Sequence, residues 1–164
     1  MKKNCKTLHF EKNFFWIFLS SGALIGFLPF CPGTFGALEG ALFFWFFKTY
    51  PLSYQFLIII LFFIIGIISA HLTSNILNDK DPDFVIIDEI VGMWISLLGK
   101  KILMEFILAF ILFRLIDIKK PFLIKKLENI PGGLGIMMDD VIAGILTNIC
   151  VIFIITGFKI CMGH

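Results

Sequence analysis

The stretch "LSYQFLIIILFFIIGIISA", residues 52 to 70, carries no charged side chain. A helix needs about 20 consecutive apolar residues to cross the hydrocarbon core of a bilayer, so this stretch predicts a transmembrane helix. Of all 164 residues, 59% are hydrophobic, whereas roughly half of the residues in soluble domains are apolar. We therefore predict an integral membrane protein, and the length suits a single domain over residues 1–164.

Further regions are apolar enough to enter a membrane. Residues 25–47, broken by "PFCPGTFG", and residues 136–158 are each long enough for one crossing. The segments 84–98 and 102–118 are shorter and contain ionisable groups, which favours a buried helical hairpin at the membrane surface over two crossings. The prediction is an all-α, multi-pass membrane helical bundle with about three spans plus interfacial or buried short helices.

The lysines predict the orientation of these spans. The Lys-rich N-terminus, the pair Lys100 and Lys101, and the basic segment 119–126 are all predicted to be cytoplasmic, because positively charged loops stay on that side. Two crossings before residue 79 satisfy this condition, and the final span then places the C-terminus outside. A chain that starts inside and ends outside crosses the membrane an odd number of times, which supports three spans.

Two pairs of adjacent acids interrupt apolar helices: Asp88 and Glu89 in "DPDFVIIDEIVGMWISLL", and Asp139 and Asp140 in "GIMMDDVIAGI". One charged side chain in a membrane helix costs about 3 kcal/mol on insertion scales. Mostly small residues share a helical face with an acid of each pair: Gly92 and Ser96, with the larger Met93, share one with Glu89, and Ala143, Gly144 and Thr147 share one with Asp140. Small faces allow helices to pack closely, so the sequence predicts that the four carboxylates meet.

A cluster of four carboxylates would repel itself and take up protons unless a cation neutralised it. All-oxygen ligands favour magnesium over softer metals. We therefore predict that Asp88, Glu89, Asp139 and Asp140 hold Mg²⁺. The alternative is that these acids form structural ion pairs with Arg114 and the lysines, or cap helices at the interface.

The chain has a single arginine, Arg114, in "FRLIDIKKP". It precedes Asp117 by three residues, a spacing typical of a local ion pair on one helical face. Arginine is also well suited to bidentate phosphate binding. Lys119 and Lys120 follow at the helix end, where a cation can stabilise the helix C-terminus or hold a phosphate, and both interpretations stay open.

The block "PGTFG" separates two apolar stretches. Thr34 can cap a helix that begins near Phe35, and the free backbone amides beside it could bind an anion. A plain cap and turn is an equally good interpretation of this block.

Several function classes are excluded or disfavoured. A net charge of +2 does not indicate a nucleic-acid partner, and the four cysteines have neither zinc-site nor disulfide spacing. The chain contains no P-loop, no H-E-x-x-H and no nucleophile elbow. A CDP-alcohol phosphatidyltransferase would need its D-G-x2-A-R-x8-G-x3-D-x3-D block, which is missing. A transporter would have more spans and internal repeats.

Four blocks, "PGTFGAL", "DPDFVIIDEIVGMWI", "FRLIDIKKP" and "GGLGIMMDDVIAG", closely resemble the phosphatidylglycerophosphatase A family in their order and spacing. The resemblance covers about residues 29–144. It implies a multi-pass, magnesium-dependent lipid phosphatase of the bacterial inner membrane, with its active site facing the cytoplasm. Its substrate would be the phospholipid phosphatidylglycerophosphate and its product phosphatidylglycerol.

The resemblance also implies roles for matching residues. Asp88, Glu89, Asp139 and Asp140 would hold Mg²⁺, while Thr34, Arg114 and Lys120 would bind the phosphate. Asp81 or Asp117 would be catalytic, either by orienting a water or by attacking directly to form an aspartyl-phosphate.

Overall fold

The computed structural model describes residues 14–119 and 132–162, and within these ranges all regular structure is helical. Six helices follow one another there: α1 Phe14–Ser20, α2 Pro32–Phe47, α3 Leu52–Leu77, α4 Ile87–Leu97, α5 Leu103–Lys119 and α6 Gly133–Met162, with a 3-10 turn at Ile25–Phe27. The all-α prediction is confirmed for the described part of the chain.

The short helix α4 forms the centre of the bundle. It packs against α2, α3, α5 and α6, and nine of its eleven residues are buried. The indole N–H of Trp94 donates a hydrogen bond to the carbonyl oxygen of Gly40 at 2.8 Å, which fixes α4 against α2. Because α4 is covered on most sides, the position of its N-terminal acids is set by the whole bundle.

The helices α4 and α6 cross at two glycines. A Cβ atom added to Gly92 would lie 2.7 Å from the carbonyl oxygen of Asp140, and one added to Gly144 would collide with the carbonyl oxygen of Gly92. Small residues let helix backbones approach this closely. The small faces that the sequence indicates on these two helices therefore do meet.

Within the described residues, two helices are long and apolar enough to cross a membrane, Leu52–Leu77 and Gly133–Cys161. They contain the predicted spans 52–70 and 136–158, although α3 continues seven residues further and ends where Asn78 takes a positive φ of 55°. Large apolar side chains remain exposed on the outer faces, such as Phe153 at 73%. Exposed apolar surface on this scale suits contact with lipid.

The predicted crossing over residues 25–47 is not a single helix. A 3-10 turn and an irregular segment precede α2, and α2 itself has 16 residues, fewer than the roughly 20 needed for a span. A third span is therefore not confirmed.

The helices α4 and α5 run lengthwise between the two ends of the bundle, with α4 buried and α5 on the outside. The backbone N–H of Gly99, in the turn between them, donates to the side-chain oxygen of Gln55 in the first turn of α3. The 17 residues of α5 then extend about 25 Å back to the other end. Lys100 and Lys101 therefore lie at the opposite end of α5 from Lys119, which contradicts the prediction that these lysines share one side. Residues 120–126 of the basic segment lie outside the described residues, so for them the prediction is not tested.

Candidate active site

One end of the bundle contains a cavity of about 530 Å³. The start of α2, the loop from α3 to α4, the start of α4, the end of α5 and the first turns of α6 all contribute to its wall. Seven carboxylate side chains line it: Asp81, Asp83, Asp88, Glu89, Asp117, Asp139 and Asp140. Among the described residues no lysine or arginine lines it, so the cavity is strongly acidic.

Three of the acids form a compact cluster within this wall. One carboxylate oxygen each from Asp88, Glu89 and Asp140 lie within 4.8 Å of one another. Asp88 and Asp140 are only 8% and 3% exposed. Asp139 lines the cavity beside them, and its Oδ1 accepts a hydrogen bond from the backbone N–H of Asp140 at 3.0 Å. The structure thus brings the four acids of the two pairs to one site, three of them in direct proximity.

The electrostatics of this cluster are unfavourable without a cation. Burial raises the pKa of Asp88 well above its usual range, and the neighbouring charge of Glu89 raises it further. Burial likewise raises the pKa of Glu89. Each of the three acids also has one buried carboxylate oxygen without a hydrogen-bond partner, Oδ1 in Asp88 and Asp140 and Oε2 in Glu89. Unpaired buried acceptors are rare, and an all-oxygen set of like charges fits a hard divalent cation such as Mg²⁺.

Arg114 forms the ion pair that its spacing indicates. Its Nη1 lies 2.5 Å from Oδ2 of Asp117 on the same face of α5. A Cβ atom added to Gly33 would come within 3.1 Å of Nη1 of Arg114 and would collide with Oε1 of Glu89. The guanidinium group therefore lies behind the glycine of "PGT" and next to the acidic cluster. Phosphate binding by Arg114 stays a prediction, and Lys120 lies outside the described residues.

The start of α2 differs from the expected one. The helix begins at Pro32, with Cys31 as its N-cap at a φ of 47°. Thr34 is already inside the first turn, and its backbone N–H donates to the carbonyl oxygen of Cys31. The prediction that Thr34 caps a helix near Phe35 is wrong, because proline is itself preorganised for the first helical position. Pro32 and Gly33 line the cavity, whereas Thr34 does not.

The loop between α3 and α4 contributes one acid that the sequence analysis singled out and one that it missed. Asp81 and Asp83 are both exposed and both line the cavity. Asp83 could have been predicted as a site residue, because it stands in the same "DPDF" block as Asp81. The next residue, Phe84, stacks on Phe27 with ring centroids 4.4 Å apart, so an aromatic pair forms part of the same wall.

Comparison with known proteins gives consistent matches. The family model for Phosphatidylglycerophosphatase A matches residues 18–155. A phosphatidylglycerophosphatase A of Escherichia coli is 35% identical over 136 residues, covering 80% of this chain and 78% of the relative. One from Haemophilus influenzae is 36% identical over 124 residues, covering 73% of this chain and 76% of the relative.

A relative with another name is equally similar. A provisionally named phosphatidylinositol-3-phosphatase of Bacteroides thetaiotaomicron is 38% identical over 149 residues, covering 85% of this chain and 92% of the relative. No solved structure matches the chain significantly. The family match spans most of the chain and includes every acid of the cavity wall. The chain belongs to the phosphatidylglycerophosphatase A family.

Proposed function

We propose that this protein hydrolyses the terminal phosphate of phosphatidylglycerophosphate to give phosphatidylglycerol and inorganic phosphate, with Mg²⁺ as its cofactor. The observation that carries the proposal is the buried cluster of Asp88, Glu89 and Asp140, in which each acid keeps an unpaired oxygen beside a 530 Å³ cavity. The names of the Escherichia coli and Haemophilus influenzae relatives support the choice of substrate.

The acidity of the cavity supports a requirement for added positive charge. A phosphate group would be repelled by seven carboxylates in its wall. Asp88, Glu89 and Asp140, with Asp139 beside them, are the residues that would hold Mg²⁺. When bound there, Mg²⁺ would neutralise the acids and stabilise negative charge on the phosphate oxygens. Hydrolysis of phosphate monoesters is among the slowest uncatalysed reactions, so this electrostatic contribution must be large.

The remaining residues divide into binding and catalytic groups. Arg114 and Lys120 would neutralise phosphate oxygens, and Arg114 also fixes the orientation of Asp117 through their ion pair. Asp117 or Asp81 would either accept a proton from the attacking water or attack the phosphorus directly to form an aspartyl-phosphate. In both routes the bond between phosphorus and the glycerol oxygen breaks, and the released alkoxide takes up a proton. In the covalent route a water molecule then hydrolyses the aspartyl-phosphate, which releases inorganic phosphate and restores the carboxylate.

We further place the protein in the bacterial inner membrane with this cavity facing the cytoplasm. Two candidate spans among the described residues support a membrane location. The basic segment 119–126 begins at the end of α5, where Asp117 lines the cavity, and this supports a cytoplasmic orientation. Residues 25–47, which include α2, would supply a third crossing. A reporter fused after residue 164 tests this topology, because three crossings place it outside the cytoplasm and two place it inside.

Phosphate release by the purified protein in mixed micelles tests the activity. We expect release from phosphatidylglycerophosphate with Mg²⁺ and about a hundredfold less after chelation of the metal. Phosphatidylinositol 3-phosphate is the second substrate to assay, because the Bacteroides relative is named for it. If phosphate is released faster from this lipid than from phosphatidylglycerophosphate, it replaces the latter as the proposed substrate. Release of CMP from CDP-diacylglycerol would favour the transferase alternative. Absence of phosphate release from both lipid phosphates would overturn the proposal.

A further inference from the structure

A second cavity, of about 410 Å³, lies between α1, α2, α3 and α4. Its wall is apolar and largely aromatic, and includes Phe43, Phe62 and Trp94. The rings of Phe62 and Trp94 meet edge to face with centroids 4.8 Å apart. The volume falls within the range of about 300–1,000 Å³ that is usual for ligand cavities.

Among the described residues of this wall, which are otherwise apolar, Glu39 is the one ionisable side chain. It is 7% exposed, and its Oε2 has no hydrogen-bond partner. The Oε2 atom lies against Gly22, where an added Cβ would collide with it. An ionised carboxylate without a partner is costly in so apolar a wall, which favours the protonated form, and that form can donate a hydrogen bond. A buried polar group without a partner in a cavity wall suits a ligand that offers one.

The apolar and the acidic cavity are lined by neighbouring positions of the same two helices. On α4, Ile87 and Ile90 line the apolar cavity, while Asp88 and Glu89 between them line the acidic one. On α2, Glu39 follows Gly33 of the acidic cavity by six residues, or about 9 Å along the helix axis. Along α2, the acidic cavity therefore comes first, and Glu39 and the apolar cavity follow. A phospholipid in a bilayer has a matching order, because its ester carbonyls and acyl chains lie deeper in the membrane than its headgroup phosphate.

We propose that the apolar cavity is the acyl-chain subsite for the lipid substrate, and that the Glu39 carboxyl donates a hydrogen bond to an ester carbonyl of that lipid. This inference rests on the proposed lipid phosphatase function and adds to it how the enzyme holds the glycerol ester region of its substrate. The acidic cavity would bind the phosphate and the apolar cavity one chain of the same molecule.

Ester and ether forms of the substrate test the role of Glu39. Dialkyl ether lipids have the same chains and headgroup but no ester carbonyl. We expect Glu39→Ala to raise KM about fivefold for the diester substrate, the size of effect of one hydrogen bond, and to leave KM for the diether substrate unchanged. Glu39→Gln keeps a donor and should stay near the wild type on both. An equal loss on both lipids in the Ala variant would make Glu39 structural and overturn its role.

Filling the cavity tests the chain subsite independently. Ile58 lines the cavity from α3, so Ile58→Trp should lower kcat/KM for the long-chain substrate about tenfold. Leu61→Trp on the same helix is the matched control, because Leu61 is 51% exposed and does not line the cavity. A substrate with a photoreactive group on its acyl chain should label Phe43 or Phe62 in the wild type and the Leu61 variant but not in the Ile58 variant.

The two proposals fail differently. If the wild type releases no phosphate from any lipid, the phosphatase function fails. If the wild type is active but labelling falls outside the cavity residues, or both Trp variants behave alike, the acyl-chain subsite fails while the phosphatase stands. Photolabelling measures where the acyl chain binds and does not require turnover. It therefore tests the acyl-chain subsite even in a variant of low activity.

Discussion

The carbonyl oxygen of Gly92 on α4 faces the Cα atom of Gly144 on α6 so closely that no side chain fits between the two backbones. Glu89 lies one turn before Gly92, and Asp140 lies one turn before Gly144. The distance between these acids is therefore fixed by a contact of backbone atoms, which leaves little freedom. The geometry of the acidic cluster is a consequence of helix packing.

Gly144→Ala should disturb this contact. The added methyl group would force α4 and α6 apart at a cost of about 1–3 kcal/mol, and it should lower both the melting temperature and the rate of phosphate release. Gly157→Ala is the matched control on the same helix, because no atom lies within 4 Å of a Cβ added there. Equal melting temperatures for the two variants would contradict the tight crossing.

Asp88→Asn or Asp140→Asn should lower phosphate release about a hundredfold, because each removes one charged ligand from the cluster. The melting temperature should rise or stay constant in chelator, since one like charge is lost, while the stabilisation by added Mg²⁺ should shrink. Melting curves with and without Mg²⁺ measure both effects. Glu105→Gln, at the start of α5 and far from the cavity, serves as the control for loss of a charge.

Arg114→Lys separates phosphate binding from local pairing. Lysine keeps the charge that pairs with Asp117 but loses the planar fork that grips two phosphate oxygens. If Arg114 binds phosphate, turnover should fall by orders of magnitude with little change in melting temperature. An active Lys variant beside an unstable Arg114→Ala variant would leave Arg114 only its structural role.

The pH dependence of stability should differ with and without metal. The folded protein binds more protons than the unfolded chain because the pKa values of Asp88 and Glu89 are raised on folding. In chelator, their contribution to stability is therefore greatest below about pH 4, near the unfolded pKa values, and is lost as the pH rises through the raised ones. Mg²⁺ would favour the charged forms, so the difference in melting temperature between Mg²⁺ and chelator should widen as the pH rises from about 4 through the raised pKa values. In Asp88→Asn this widening should be weaker.

The sequence was informative where one local pattern dominates. The helices α3 and α6 were predicted because long apolar runs have few alternatives in a membrane. The faces around Gly92 and Gly144 were predicted because helical spacing alone determines which residues share a face. The gathering of the acid pairs followed from those faces.

The sequence was less informative where the outcome depends on distant segments. The direction of α4 and α5 depends on how much of the apolar surface of α4 the other helices can bury. The charges of the connecting loops do not indicate this. Glu39 attracted no prediction, because its burial depends on the segment around Gly22 folding back against α2. The role of Thr34 was misjudged because Cys31 takes a left-handed conformation, which lets Pro32 start the helix one turn earlier.

The distribution of the acidic cluster between α4 and α6 has a consequence for biosynthesis. A growing chain contains Asp88 and Glu89 some fifty residues before Asp140, so two acids of the cluster are synthesised while the third is still missing. Chains are made and folded from the N-terminus onward, and the cluster is complete only when the last helix packs against α4. A nascent or truncated chain that ends before α6 therefore has no assembled cluster, and the proposed metal would stabilise only chains that have been synthesised through α6.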